Sequence, residues 1–154
     1  MSASNWFLFG PAVEAIADGT IDLDNDTFRI ALVTSSWTPD QSADDTWSDL
    51  SANEVANGNG YATHGKVLTQ GVSRSGLVVT FDGDDQSWTS STITAKYAVL
   101  VRDANADGSL AGTDLVIAYC DLNSGGGSVS TTAGTLSLAM NASGMFTATA
   151  ATAS

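Results

Sequence analysis

Two hydrophobic periods divide this chain. Near the N-terminus, Trp6, Phe9, Val13 and Ile16 recur at spacings of three and four, which puts them on one helix face. This predicts an N-terminal helix over about residues 5–18, capped by Ser4 or Asn5 and stopped at Gly19. Pro11 lacks an N–H and crowds the preceding turn, so either the helix kinks there or its regular part begins at Pro11.

From residue 27 the period becomes two. In 27–34, Phe28, Ile30 and Leu32 face one way and Arg29 and Ala31 the other. Leu77, Val79 and Phe81 share a face in 76–82. Ile93, Ala95, Tyr97, Val99 and Val101 do so in 93–102, with Lys96 and Arg102 opposite, and Leu115, Ile117 and Tyr119 follow the same pattern. β-Branched and aromatic content supports strand in all four runs. Breaker clusters punctuate them: Asp82-Gly-Asp-Asp85, residues 103–112 and Gly125-Gly-Gly127. Residues 135–140, the turn Asn141-Ala-Ser-Gly144 and residues 145–149 read as a terminal hairpin. The long polar stretch 36–65 reads mainly as loop with a short helix near 46–50, and loops of that length are usually functional or interaction arms. The chain is thus expected to form one domain over 1–154, without internal repeat or linker, ending in a tail from about residue 150. Its fold class is mainly β: a β-sandwich or flattened barrel of about six to eight strands, with one N-terminal helix and a long polar loop.

Composition narrows the function. Ala, Ser, Thr and Gly fill nearly half of the chain, and five Lys and Arg stand against 17 Asp and Glu, for a net charge of -12. A nucleic-acid binder needs basic surface to displace phosphate counterions, and an anionic membrane repels an acidic protein, so neither partner is expected. No apolar run is long enough to span a bilayer as a helix. No Lys or Arg precedes Arg29, and the apolar run at 6–9 is short, so no signal peptide is expected. Cys120 lies in an apolar run and reads as a small buried hydrophobe.

Catalytic motifs are sparse. His64, the single histidine, sits in a Gly-flanked loop and reads as a surface residue. Gly71-Val-Ser-Arg-Ser75 approaches a nucleophile elbow, but Ser75 replaces the final Gly. The carboxylates Asp44-Asp45, Asp84-Asp85 and Asp22, Asp24, Asp26 occupy turn-like stretches, where Asp caps and closes turns. No enzyme is therefore expected. One segment matches a calcium loop in spacing: Asp103, Asn105, Asp107 and Ser109 alternate, Gly108 takes the sharp turn, and Asp114 closes the set. Calcium is the one cofactor the sequence suggests. Against it, the flanks read as strands, the last ligand is the shorter Asp, and Ala111 offers no side-chain oxygen. Trp37 and Trp47 lie in or beside loops, as does Trp88. They either cover the ends of a sandwich whose strands are rich in small residues, or Trp37 and Trp47 anchor a protein partner.

Several runs carry a resemblance. They are Ile21-Asp-Leu-Asp-Asn-Asp-Thr27, then Phe28-Arg-Ile-Ala-Leu-Val-Thr-Ser-Ser-Trp-Thr-Pro-Asp40; Leu50-Ser-Ala-Asn-Glu-Val55 with Gly60-Tyr61 and Gly65-Lys66; and Ser91-Thr-Ile-Thr-Ala-Lys-Tyr-Ala-Val99. In order, over about residues 9–122, they resemble small structural proteins encoded among the virion genes of tailed bacteriophages. The resemblance implies a non-enzymatic virion component with no catalytic residues to transfer: a capsid decoration (cement) protein that bridges and stabilises major capsid protein subunits. It would sit on the capsid exterior after synthesis in the host cytoplasm. The alternative within the same resemblance is a tail, neck or fibre component that binds a host receptor or glycan. Lattice symmetry would favour self-association as a trimer or other ring.

Overall fold

The computed structural model describes residues 5–152. Its centre is an antiparallel five-stranded sheet in the order β1-β9-β8-β2-β3, formed by β1 (Trp6–Leu8), β2 (Thr27–Val33), β3 (Lys66–Leu68), β8 (Tyr97–Asp103) and β9 (Val116–Asp121). β2 and β8 pair over their whole length, from Thr27 opposite Asp103 to Val33 opposite Tyr97. Both are buried on both faces apart from part-buried positions near their ends and Arg102. The expected alternation is therefore present, but the Arg29 face is covered as well.

A second layer contains β4 (Gln70–Ser75), β5 (Val78–Gly83) and β12 (Phe146–Thr149) in the order β12-β5-β4. β6 (Gln86–Ser91) pairs with β11 (Gly134–Leu138), and β7 (Thr94–Ala95) with β10 (Val129–Ser130). Phe28 meets Phe81 edge-on across the layers at 5.7 Å between ring centroids. Both are fully or almost fully buried, each contributing about 1.5–3 kcal/mol of apolar burial. The fold is mainly β and sandwich-like, not a closed barrel.

Twelve strand segments replace the expected six to eight because several strands bend and change layer. Only Thr69 separates β3 from β4, and only Lys96 separates β7 from β8, its N–H turned to Val33 C=O at 2.9 Å. The helix α1 (Gly10–Ala17) is shorter than the expected 5–18. Pro11 sits in its first turn, where no intrahelical N–H is required, and the residues before it run extended as β1. Consequently Trp6 pairs opposite Cys120 in the sheet, and Val13 is exposed rather than inward. Ser4, one of the two expected caps, lies outside the described residues. No helix among the described residues is long and apolar enough to cross a membrane.

The C-terminal hairpin does not form. The expected turn is present, closed by Gly144 N–H to Asn141 C=O at 2.8 Å. Its two arms separate, β11 to β6 and β12 to β5. Buried Met145 donates its N–H to Phe81 C=O, and Phe146 stacks on Phe81 at 4.8 Å, which commits the second arm to the other layer. Ala150 hydrogen-bonds Leu77; the expected tail beyond it is exposed as far as Thr152, and its last two residues lie outside the described range.

Candidate functional site

The residues singled out in the sequence gather on one side of the central sheet, around the connection 34–65 and the loop after β8. The connection is no free arm. Where β3 ends, it takes over the open edge of β2: Val55 N–H donates to Leu32 C=O at 2.9 Å, and Leu32 N–H donates to the Tyr61 hydroxyl at 3.0 Å. Tyr61 in turn donates to Glu54 Oε1 at 2.7 Å, and the same oxygen accepts the His64 N–H. Burial, then the negative charge of Glu54, pushes the Tyr61 phenol above its ordinary range and keeps it a donor. The short helix expected near 46–50 is present as a 3₁₀ turn at Trp47–Asp49, followed by another at Ser51–Asn53.

The loop after β8 is closed from within. Asp114 accepts the N–H groups of Ala104 and Ala111, one on each carboxylate oxygen, and Asp103 Oδ2 accepts Gly108 N–H at 3.1 Å. Asp107 Oδ1 accepts Ser109 N–H at 2.9 Å, and Asn105 is exposed. Asp103 and Asp114 are buried and their oxygens face backbone donors or Arg29, save Asp103 Oδ1, which has no hydrogen-bond partner. Asp103 Oδ2 lies 3.9 Å from Arg29 Nη1. Arg29 also donates from Nε to His64 C=O and from Nη2 to Gly65 C=O, tying β2, the connection and the loop together. The sequence put Asp103, Asn105, Asp107, Ser109 and Asp114 at calcium-loop spacing. Among the described residues no three His, Cys, Asp or Glu side chains converge to hold a metal ion. The strand flanks fix the loop ends, and in this arrangement Asp103, Asp107 and Asp114 cap local N–H groups.

Ser109 Oγ lies 3.3 Å from His64 Nδ1, a contact between hydroxyl and imidazole that the sequence did not signal. The contact links the two loops, and the loop's carboxylates Asp103, Asp107 and Asp114 are engaged by backbone N–H groups. His64 is at φ 68°, and its ring stands edge-on to Trp47 at 6.4 Å.

Both tryptophans expected as partner anchors are buried, Trp37 at 5% and Trp47 at 2% exposure. Trp37 packs against Phe9, Tyr97 and Tyr119, with ring centroids at 6.3, 5.2 and 6.0 Å. Its indole Nε1 is buried without an acceptor. Both indoles therefore belong to the core of this chain, the first of the two roles the sequence offered for them. Cys120 is fully buried, as its apolar setting suggested.

The polar turns behave as the Asp-rich sequence predicts. Asp22 Oδ1 accepts the N–H groups of Asp24 and Asn25, and Asp49 closes a capping box with Thr46. Hydrogen bonds from Asn25 hold Asp22, and from the Thr46 backbone hold Asp49, below the ordinary carboxylate range. A small apolar groove of about 120 Å³ opens between α1 and β12, lined among others by Leu8, Val13, Ile16, Val79 and Phe146.

A scan against protein-family models found no match, and searches of curated proteins and of solved structures returned no significant match.

Proposed function

We propose that this chain is a structural component of a tailed-phage virion, a capsid decoration protein that binds the major capsid protein and itself on the capsid exterior. One observation carries this reading. The three runs that resemble virion proteins, far apart in sequence, form a single hydrogen-bonded unit. β2 from the first pairs with β8, which begins in the third. The middle run bonds the first through Thr34 N–H to Asn53 C=O, Val55 to Leu32 and Arg29 to Gly65. Thr92 N–H in the third run donates to Asn59 C=O, beside the middle run's Gly60-Tyr61. Residues that build one sheet and its cover are the residues a shared fold retains, which supports reading the resemblance as one unit rather than scattered matches. A decoration protein works through surface contacts repeated over a lattice, where modest individual affinities become durable by multivalency.

The test is made on particles. Gold-labelled antibody against the chain should decorate heads, and particles lacking the chain should release their genome at lower temperature than complete ones. Equal heat resistance, or label confined to the tail tip, overturns the reading.

A further inference from the structure

Every charged side chain lies at or before Asp121. The net charge of -12 thus belongs to the earlier part of the chain, and the uncharged remainder builds β10, β11 and β12. β12 is an edge strand: it pairs with β5, and among the described residues no strand pairs with its other side. Its register sets Phe146 against Phe81 and Ala148 against Val79, and Ala150 N–H continues the series to Leu77 C=O at 2.9 Å. Backbone groups on an antiparallel strand point alternately to either side, so residues 146, 148 and 150 bond inward while Thr147 and Thr149 turn their N–H and C=O to the open edge. Thr147, Ala148 and Thr149 are exposed. Natural edges are usually guarded by Lys, Pro, an inward charge or a bulge, and the Phe-Thr-Ala-Thr sequence of β12 carries none of the first three. The apolar groove borders the same strand, with Phe146, Thr147 and Ala148 in its wall.

We propose that the outer edge of β12 pairs antiparallel with the same edge of a second copy of this chain. The choice of occupant follows from charge. Two copies at -12 repel wherever their acidic turns meet, and this uncharged strand is a place where they can approach. A basic partner would be drawn to the acidic turns instead. A two-fold axis beside Ala148 sets Thr147 of one copy opposite Thr149 of the other, and their outward N–H and C=O groups bond reciprocally. The pairing joins β4, β5 and β12 of both copies into one continuous sheet. It gives the self-association in the proposed role a surface, as a two-fold pair in place of the trimer or other ring that lattice symmetry favours, and rests on that role in no other respect.

Sedimentation velocity on the full chain, across concentration and salt, tests this apart from any capsid. The chain should sediment as a dimer that tightens as salt rises, because screening relieves the repulsion between two acidic copies. Thr149→Pro removes an N–H that the monomer does not use, and Thr147→Glu places a carboxylate on each edge. Each should weaken the dimer by about tenfold or more while far-UV circular dichroism and the urea midpoint, both measured at concentrations where the chain is monomeric, stay unchanged. Ser73→Lys, on the β4 edge, should leave the dimer intact. If Thr149→Pro does not fold, Thr147→Glu, which keeps the N–H, decides. A chain that is monomeric at every concentration and salt, or an oligomer that survives the substitutions, overturns the inference. Loss of particle protection with the dimer intact would instead overturn the proposed role alone.

Discussion

The α-carbon of Gly65 lies against the backbone of Ile30 so closely that a β-carbon on it would stand 1.9 Å from the Ile30 carbonyl oxygen. Gly65 also sits at φ +62°, the left-handed region that costs other residues about 1–2 kcal/mol. The neighbour is backbone of the central strand and cannot swing aside. Gly65→Ala should therefore lower the unfolding free energy by about 2–5 kcal/mol, measured by urea denaturation. A loss below about 0.5 kcal/mol would mean that the connection is not seated on β2 as described.

Tyr61 makes an alkaline prediction. Its hydroxyl is held above the ordinary phenol range of about 10, so its contribution is complete below the unfolded value and is lost as pH rises beyond it. Phenolate absorbance from Tyr61 should appear only together with unfolding, and Tyr61→Phe should abolish that step. The same substitution leaves Leu32 N–H and Glu54 without their partner and should cost about 1–3 kcal/mol. A phenolate that forms in the folded protein at ordinary pH would contradict the buried network.

All four tryptophans are buried. Native fluorescence should be blue-shifted and resist iodide quenching. Trp37→Ala should destabilise by about 3–5 kcal/mol through the space it leaves among Phe9, Tyr97 and Tyr119. Strong quenching at full native circular dichroism would return the indoles to the surface.

The loop after β8 sets the calcium expectation against its hydrogen bonds. If Asp114 serves to cap Ala104 and Ala111, Asp114→Ala should lower stability by about 1–3 kcal/mol equally in millimolar calcium and in chelator. A thermal midpoint that rises with calcium in the parent chain and not in Asp103→Ala would instead show a cation site there.

Acid should weaken the turns. A carboxyl whose folded pKa lies below its unfolded value adds stability above the unfolded value and loses it as pH falls through the folded one. Asp18, Asp22, Asp40 and Asp49 all have this sign, through hydrogen bonds from Thr20, Asn25, Ser42 and the Thr46 backbone respectively. The loss should set in as pH falls through the ordinary carboxylate range and be completed below it. Relief of the net charge works the other way, so the comparison that isolates capping is the parent against Asp49→Asn, whose urea midpoint should depend less on pH. Identical pH slopes would show that Asp49 does not cap as an anion.

The strands legible in the sequence were those whose alternation is local. Phe28, Ile30 and Leu32 announce β2 without reference to any partner, and Val99 and Val101 announce β8. β4, β6 and β10 were not legible, because Gly, Ser and Thr leave little contrast between their faces. The hairpin expectation failed for another reason: Asn141–Gly144 supplies the turn, but partner choice was decided by Met145 and Phe146 against Phe81, a contact with no signature near the turn. Trp37 lies outside a strand, so the sequence leaves it between covering the sandwich and anchoring a partner; the return of the connection over the sheet buries it. Arg29 stands mid-strand among buried apolar residues, and a charge there needs a partner, which Asp103 and two carbonyls provide.

The ladder between β2 and β8 has a consequence for how the chain is made. Thr27 must find Asp103, so the central pair cannot close until residue 103 has left the ribosome. Until then Phe28–Val33, apolar but for Arg29, is without its mate, and contacts this distant in sequence form slowly compared with those of helical proteins. Yield from a fast expression host should therefore improve with slower translation or lower temperature, and a fragment ending before residue 97 should accumulate as insoluble material.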